Sequence, residues 1–406
     1  MTATTPVTEA PAAPGAPYPF TPADPFLPPE EYARLRAEAP VTVARVASGD
    51  EVWLVTRYED VHAAYRDPRF SRRLDRPDAA QLLPGVRMLS SPFADPPAHT
   101  RWRKLVSKAF TARQVAALRP TLQQLVDGLL DRVEEHGAPA DLVQLFCFPL
   151  PISAVCALLG VADTAHAPFR AHADAALSLT GSTPEQKQAA FVAMDGYARE
   201  FIGQKRARPG DDLLSRLIAV HDDDAGQLSE DELAATVLTL LIGGYENTSQ
   251  QLGRGVLALF RHPEQAAKLR ADPALIGSAV EEIMRYASTD SGYGSPRYAT
   301  EDVPLGDVVI PKGATVLLLR QSANHDGAVF DRPDEFDVGR NGNPHLAFGA
   351  GAHHCLGGAL ARLELQVGFG ALLARFPGLR PAVPLEQVRW SFRVTAAGPA
   401  SLPVTW

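Results

Sequence analysis

The chain has 406 residues, 46% of them hydrophobic and 21% charged, and a formal net charge of −8. That balance suits a folded protein with a large core and excludes a general nucleic-acid binder, which needs a basic surplus to meet phosphates. The three cysteines make no disulfide framework and no apolar run is long enough to span a bilayer, so the expected setting is the cytoplasm.

Residues 1–17 are rich in Ala, Pro and Thr, lack a basic or apolar signal-like region, and are expected to form a disordered lead-in. A single domain is expected over 18–406. Helical spacing at 29–37 precedes alternating runs at 41–46 and 52–56 around Ser48-Gly49-Asp50, a hairpin signal, and a helix over 58–66. Residues 71–93 keep no period and hold Pro77, Pro84 and Pro92, which predicts a long loop. After Asp95-Pro96-Pro97 a helix places His99 and Arg103 on one face, readable as a solvated basic face or as an anion grip. Arg101, Lys104 and Lys108 add positive charge there, enough for a docking patch for an acidic partner. From 115 to 206 the spacing is mostly helical, with Thr183-Pro184-Glu185 as a cap and first turn. Residues 149–161 are apolar nearly all round and predict a buried helix with Cys156 in the core, whereas 222–226 (DDDAG) predict a solvated acidic turn.

Ser229-Glu230-Asp231-Glu232 is a capping box, with Leu228 and Leu233 placed as a hydrophobic staple, and the helical pattern then runs to residue 261. Gly243 and Gly244 sit in its middle, where each costs about 1 kcal/mol against alanine. The pair implies either a helix packed closely on the glycines or space kept for a ligand. Thr236, Leu240, Gly243, Gly244, Asn247 and Gln251 share one stripe. Residues 281–286 are helical, with Glu282 and Arg285 one turn apart, and 287–296 (ASTDSGYGSP) form a polar connection. Short strands follow at 303–305, 308–310 and 314–319, then an irregular stretch from Asn324, a helix over 359–376 and a last strand at 389–394 that reaches toward the pocket.

Between the irregular stretch and that helix runs FGAGAHHCLGG, residues 348–358. A thiolate placed just before a helix start is stabilised by free N–H groups and the helix dipole, and glycines let the backbone approach a flat ligand. Taken alone, Cys355 is readable as a core cysteine. A zinc site is disfavoured because adjacent His353, His354 and Cys355 point apart and no second donor cluster completes a tetrahedron.

The pattern F-G-x-G-x-H-x-C-x-G resembles the haem-binding loop of the cytochromes P450, and the other motifs fall in the family's order from about residue 29 onward. The resemblance implies one mainly α domain with small β-sheets and haem b between the central helix and the cysteine helix. It implies Cys355 as the axial iron ligand, with His99, Arg103, Arg297 and His353 at propionate-binding positions and Phe348 and Gly349 beside the sulfur. Glu282, Arg285 and Arg340 match the family's structural Glu–Arg–Arg lock, and the loop at 71–93 matches the segment over the substrate. Leu240, Ser288, Thr289 and Tyr293 are the substrate-contact candidates, each also readable as ordinary core or polar loop. O2 is the expected co-substrate, with electrons from NAD(P)H through a separate ferredoxin and ferredoxin reductase, a small organic molecule as substrate, and a monomeric state.

One position departs from the family. Gly243-Gly244-Tyr245-Glu246-Asn247-Thr248 resembles the oxygen-binding phrase (A/G)-G-x-(D/E)-T-(T/S), but Asn247 stands where the first threonine is expected. Thr248 lies about 100° further round and replaces that hydroxyl only if the helix is bulged. A hydroxyl relays a proton and an amide does not readily do so. The substitution therefore favours oxidative coupling of aromatic groups, such as tryptophan-containing cyclic dipeptides, over hydroxylation or epoxidation with substrate-assisted proton delivery. A catalytically silent haem-fold module that recruits other enzymes is the alternative of another class.

Overall fold

The computed structural model describes residues 18–83, 91–161, 166–177, 182–223, 228–393 and 396–406. In chain order its first elements are α1 (Glu31–Glu38), β1 (Val41–Arg45), β2 (Glu51–Val55), α2 (Tyr58–Arg66), β3 (Phe70–Ser71), α3 (Ala98–Ala109), α4 (Ala112–Ala117) and α5 (Arg119–His136). Next come β4 (Ala140–Asp141), a π-helical turn (Val143–Cys147), α6 (Pro149–Leu159), α7 (His166–Leu177), α8 (Pro184–Ala207), α9 (Leu213–Asp223) and α10 (Glu230–Arg261). Then follow α11 (Pro263–Ala271), α12 (Ile276–Tyr286), β5 (Ser295–Ala299), β6 (Val303–Leu305), β7 (Val308–Ile310), β8 (Thr315–Leu318) and α13 (Arg320–Ala323). The chain closes with α14 (Gly358–Arg375), β9 (Arg380–Pro381), β10 (Trp390–Phe392), β11 (Ala397–Pro399) and β12 (Pro403–Thr405). The expected mainly helical chain with small sheets is what forms.

Contacts divide it into two compact units, each drawn from separate stretches. The first comprises Met1–Pro96, Gly292–Glu335 and Asn343–Cys355, and the second Pro97–Ser291, Phe336–Gly342 and Leu356–Trp406. The first unit is built on a five-stranded sheet of order β1-β2-β8-β5-β3. Gly49, at φ 95°, turns the β1–β2 hairpin, and β8 then pairs β2 in parallel, with Leu54 opposite Leu317. Every residue of β8 is buried, so its sequence TVLL does not alternate, as befits a strand covered on both faces. Val55, Val61, Tyr65, Phe70, Ala299, Val316, Leu318 and Leu346 form one apolar cluster under it.

The second unit is organised on α10, which is 32 residues and about 48 Å long. The expected capping box is present, Ser229 receiving the Glu232 N–H, and Leu228 and Leu233 are buried as the staple requires. Helices α6, α8, α12 and α14 and strand β11 all pack on α10, which explains why most of its residues are apolar or small on every side. The capping box expected at Thr183 also forms.

Some sequence expectations are corrected. Asp222 and Asp223 end α9 rather than forming a turn, because Arg206 of α8 holds the Asp222 carboxylate at 3.0 Å and extends the helix; residues 224–227 lie outside the described ones. The last expected strand, 389–394, is shorter and pairs with β11, while β12 pairs β4 and β9 in a further sheet. The strands β3, β4 and β9 are two residues each and exist only through such pairing, so they leave no periodic signal. The expected lead-in at 1–17 and the part of the long loop at 84–90 lie outside the described residues.

Candidate functional site

The cysteine loop belongs to the first unit. Phe348 carbonyl accepts the Cys355 N–H at 2.9 Å and Leu346 carbonyl accepts the Gly349 N–H at 2.9 Å, which folds the segment back on itself before a short 3-10 turn, Gly351–His353. Gly349 and Gly351 both have positive φ, 68° and 69°, and a side chain on Gly351 would meet the Tyr65 carbonyl at 2.6 Å. The glycines therefore seat the loop on the C-terminal end of α2. Cys147 and Cys156 are buried, whereas Cys355 is exposed. Burial pushes the Cys147 thiol up, so it stays neutral in the core. Phe348 lies with its ring 6.0 Å from His345 and 6.1 Å from His354.

A cluster of cations lies in the same unit. Arg297 on β5 is only 3% exposed, and its guanidinium donates to Ser295 Oγ at 3.0 Å and to the Pro296 carbonyl at 2.8 Å. It makes no ion pair among the described residues. Burial, with the positive charge of Arg72 and Arg320, pushes its pKa down to about 10. Arg72 Nη1 lies 3.4 Å from Nδ1 of His353, and Arg320 donates to the Ala347 carbonyl at 3.2 Å. A buried cation crowded by cations calls for an anion. The donor set Arg72, Arg297 and His353 therefore fits the two carboxylates of a haem. Arg72 and Arg320 carried no sequence signal; folding alone brings them beside the expected Arg297 and His353.

His99 and Arg103 lie on α3, in the second unit. His99 is buried and Arg103 half-buried. Between them Trp102 donates its indole N–H to Thr236 Oγ1 at 2.9 Å, and Arg101 pairs with Glu232, so α3 is fastened to the first turns of α10. That ion pair spends part of the expected docking patch; Lys104 is exposed, and the side chain of Lys108 lies outside the described residues.

The two glycines of α10 have different roles. A Cβ on Gly244 would lie 2.5 Å from Val155 Cγ2 on α6, whereas one on Gly243 would meet nothing within 4 Å. Close packing explains Gly244, and open space explains Gly243. Gly243→Ala is therefore expected to stabilise the protein by up to about 1 kcal/mol through helix propensity. Gly244→Ala should instead destabilise it by about 1–2 kcal/mol, since stiff Val155 must give way. Urea midpoints of the two variants check the opposite signs.

Residues 230–261 are unbroken α-helix, so no bulge brings Thr248 round to the position of Asn247. Asn247 shares the less-buried face with Gly243 one turn earlier, and Thr248 is buried. Glu246 is completely buried, and its Oε1 lies 3.7 Å from Nε of Arg393, just beyond β10. Leu240 is buried on the same helix. Ser288 and Thr289 are held in place from two sides. Gln251 and Arg254 of α10 donate to the Ala287 carbonyl at 3.0 and 3.2 Å, and Thr289 carbonyl accepts the Ala397 N–H of β11 at 2.8 Å. Tyr293, the remaining candidate, lies in the first unit, where burial raises its hydroxyl pKa.

Glu282, Arg285 and Arg340 are brought together in one ion-pair cluster. Glu282 and Arg285 are fully buried on α12 and share two bonds of 2.8 Å, while Arg340 Nε donates to the same carboxylate at 3.0 Å. The sequence reading missed Arg393 and Asp174, whose relation to Glu246 appears only in three dimensions; the strand expected at 389–394 was its one hint.

No helix among the described residues is long and apolar enough to cross a membrane. The family model for cytochrome P450 matches residues 160–381. Nocardicin C N-oxygenase of Nocardia uniformis subsp. tsuyamanensis is 47% identical over 378 residues, covering 92% of this chain and 94% of that protein. Mycinamicin IV hydroxylase/epoxidase of Micromonospora griseorubida is 42% identical over 96% of this chain and 98% of its own length. Among solved structures, the putative thioether synthase SgvP, involved in the tailoring step of griseoviridin, superposes with a TM-score of 0.91 at 45% identity, covering 96% of this chain and 99% of that one. A family model that matches more than half of the chain, and relatives 42–47% identical over more than nine-tenths of both lengths, show that the chain belongs to the cytochrome P450 family.

Proposed function

We propose that this enzyme joins aromatic groups of small organic substrates by oxidative coupling, with Asn247 setting that outcome. Its membership makes it a P450 oxidoreductase of bacterial secondary metabolism. The observation that carries the finer reading is the unbroken helix α10, which keeps the amide of Asn247 beside Gly243 and Thr248 turned away. Haem held by a thiolate supplies dioxygen activation with electrons delivered singly.

In this reading Cys355 is the axial ligand, and Arg72, Arg297 and His353, with His99 and Arg103, hold the propionates. Residues 18–406 act as one domain, monomeric in the cytoplasm, and take electrons from NAD(P)H by way of a ferredoxin reductase and a ferredoxin. Asn247 can donate a hydrogen bond to a bound water or oxygen and accept one, but it is a poor relay. Coupling takes one hydrogen from each of two substrate groups, and those hydrogens leave with two further protons and two electrons as two waters made from one O2. Insertion takes two electrons and two protons to leave one oxygen on the substrate and one in water. The name thioether synthase for SgvP describes a bond-forming outcome in a protein of this shape and supports the first reading.

The relatives named for N-oxygenation and for hydroxylation or epoxidation support insertion with substrate-assisted proton delivery as the second reading. Product mass separates the two. With tryptophan-containing cyclic dipeptides the reading expects a dimer or a loss of two hydrogens, and a gain of one oxygen rejects it. Asn247→Thr should move product toward oxygen gain by about tenfold, a change of about 1.4 kcal/mol in relative barrier.

A further inference from the structure

We propose that Arg393 is the positioning residue for Glu246, shared between that buried carboxylate and Asp174 of α7. Its Nη1 donates to Asp174 Oδ1 at 2.6 Å, and its Nε lies 3.7 Å from Glu246 Oε1. Backbone fixes the arginine at the tip of the β10–β11 hairpin, where its N–H bonds the Ala396 carbonyl at 2.9 Å. Its guanidinium also lies 5.7 Å from the centre of the Phe148 ring, an apolar wall that limits where it can swing. Glu246 is wholly buried, Arg393 12% exposed and Asp174 35% exposed, so exposure rises from the acid on α10 to the acid on α7.

Both carboxylates face one guanidinium, so the arginine can lean toward either of them. Arginine does not deprotonate, so it cannot pass a proton along. What it can do is decide which carboxylate it neutralises. Turned to Glu246 it favours the carboxylate form; turned to Asp174 it weakens that stabilisation, and the pKa of the buried acid rises. Tyr245 tips this balance, since its hydroxyl lies 3.5 Å from Asp174 Oδ1 and can donate there.

The other elements packed on α10 carry charges that are mostly paired: on α9, Arg216 holds Asp211 and Asp222 is held by Arg206; on α11, Lys268 holds Asp337; and the π-helical turn brings only Cys147. Helix α6 brings only Cys156, and β11 brings no titratable group. Helix α12 brings the locked Glu282–Arg285 pair and Glu281, which Arg362 of α14 holds, and α14 also brings Glu364, whose pKa burial raises well above the usual carboxylate range. Of the cations of α8, Arg199 holds Asp231 and Arg206 holds Glu230 at the first turn of α10, and Lys205 holds Asp212.

The inference rests on the oxidation proposed above, with Glu246 taken as the acid of the oxygen-binding phrase that delivers protons, but it is read independently of turnover. In the full-length holoenzyme the infrared carboxyl absorbance of Glu246, identified by its loss in Glu246→Gln, is titrated against pH. Arg393→Gln should raise the midpoint by at least about one pH unit, a tenfold change in ionisation. Asp174→Asn, which frees the arginine for Glu246 alone, should lower it, and Arg393→Lys should restore much of the native value. A fall in thermal stability with no movement of the midpoint in either variant overturns the proposal, as does movement of both in the same direction. If the titration shifts as stated while no variant oxidises a substrate, the reaction assigned above fails and the role of Arg393 stands. If products form normally and the midpoint stays fixed, the reverse holds.

Discussion

Cys355→Ser is expected to lower product formation by about a thousandfold or more, equivalent to about 4 kcal/mol of barrier, while leaving the fold in place. A serine hydroxyl stays protonated at neutral pH and cannot replace a thiolate as a donor of electron density to iron. The loop itself does not need the sulfur. It is held by backbone bonds from Cys355 to Phe348 and from Gly349 to Leu346, and by the seat that Gly351 finds on the Tyr65 carbonyl. The Cys355 side chain is exposed, so its unfolding midpoint should move by no more than about 0.5 kcal/mol. The reduced, carbon-monoxide-treated spectrum gives the direct measurement. The thiolate-shifted Soret band should vanish in Cys355→Ser and persist in Cys147→Ser and Cys156→Ser, which place a hydroxyl in the core and cost stability instead. A shifted band that survives in Cys355→Ser would remove the ligand assignment.

The second large effect concerns stability. Glu282→Gln is expected to cost about 3–5 kcal/mol, read as a lower guanidinium midpoint with an unchanged slope. Its carboxylate receives two bonds from Arg285, one from Arg340 and one from the backbone N–H of Asp337, and both Glu282 and Arg285 are inaccessible to solvent. Glutamine keeps the shape but removes the carboxylate charge that both guanidinium groups face, and that lost compensation in a buried site is what dominates the cost. The lock also fixes the 336–342 segment on α12, together with the bond from Ser278 Oγ to the Val338 carbonyl at 2.7 Å. Double substitution of Glu282 and Arg340 should cost less than the sum of the single changes, because each single change orphans the other partner. By contrast, breaking the Arg332–Glu335 pair, whose side chains are about 60% exposed, should change little.

The capping box of α10 and the bounds of α2 were legible in the linear chain, as was the pairing of Glu282 with Arg285 one turn away. Each depends on residues close in sequence or on a motif whose spacing carries its chemistry. The hairpin at 41–55 and the strands at 303–310 were legible for the same reason, since turn residues and alternation are local properties.

Four things were not. Pattern alone could not tell Gly243 from Gly244; Val155, nearly ninety residues away, decides that one packs and the other faces open space. Whether Thr248 could serve in place of Asn247 depended on helix continuity, which the packing of α6, α14 and β11 on α10 settles rather than propensity. The cations Arg72 and Arg320 meet Arg297 only because β5 lies inside the sheet while α13 and the segment after β3 fold around it.

Arg393 is the clearest instance: its partners Asp174 and Glu246 sit 219 and 147 residues earlier in the chain, on two helices. The sequence by itself determined which chemistry the chain can carry, because a thiol, glycines and cations at set spacings follow local rules of backbone and charge. Only tertiary structure decided which charges share a burial site and which glycine stands clear, because Coulomb energy and steric contact depend on distance in space and not on separation along the chain.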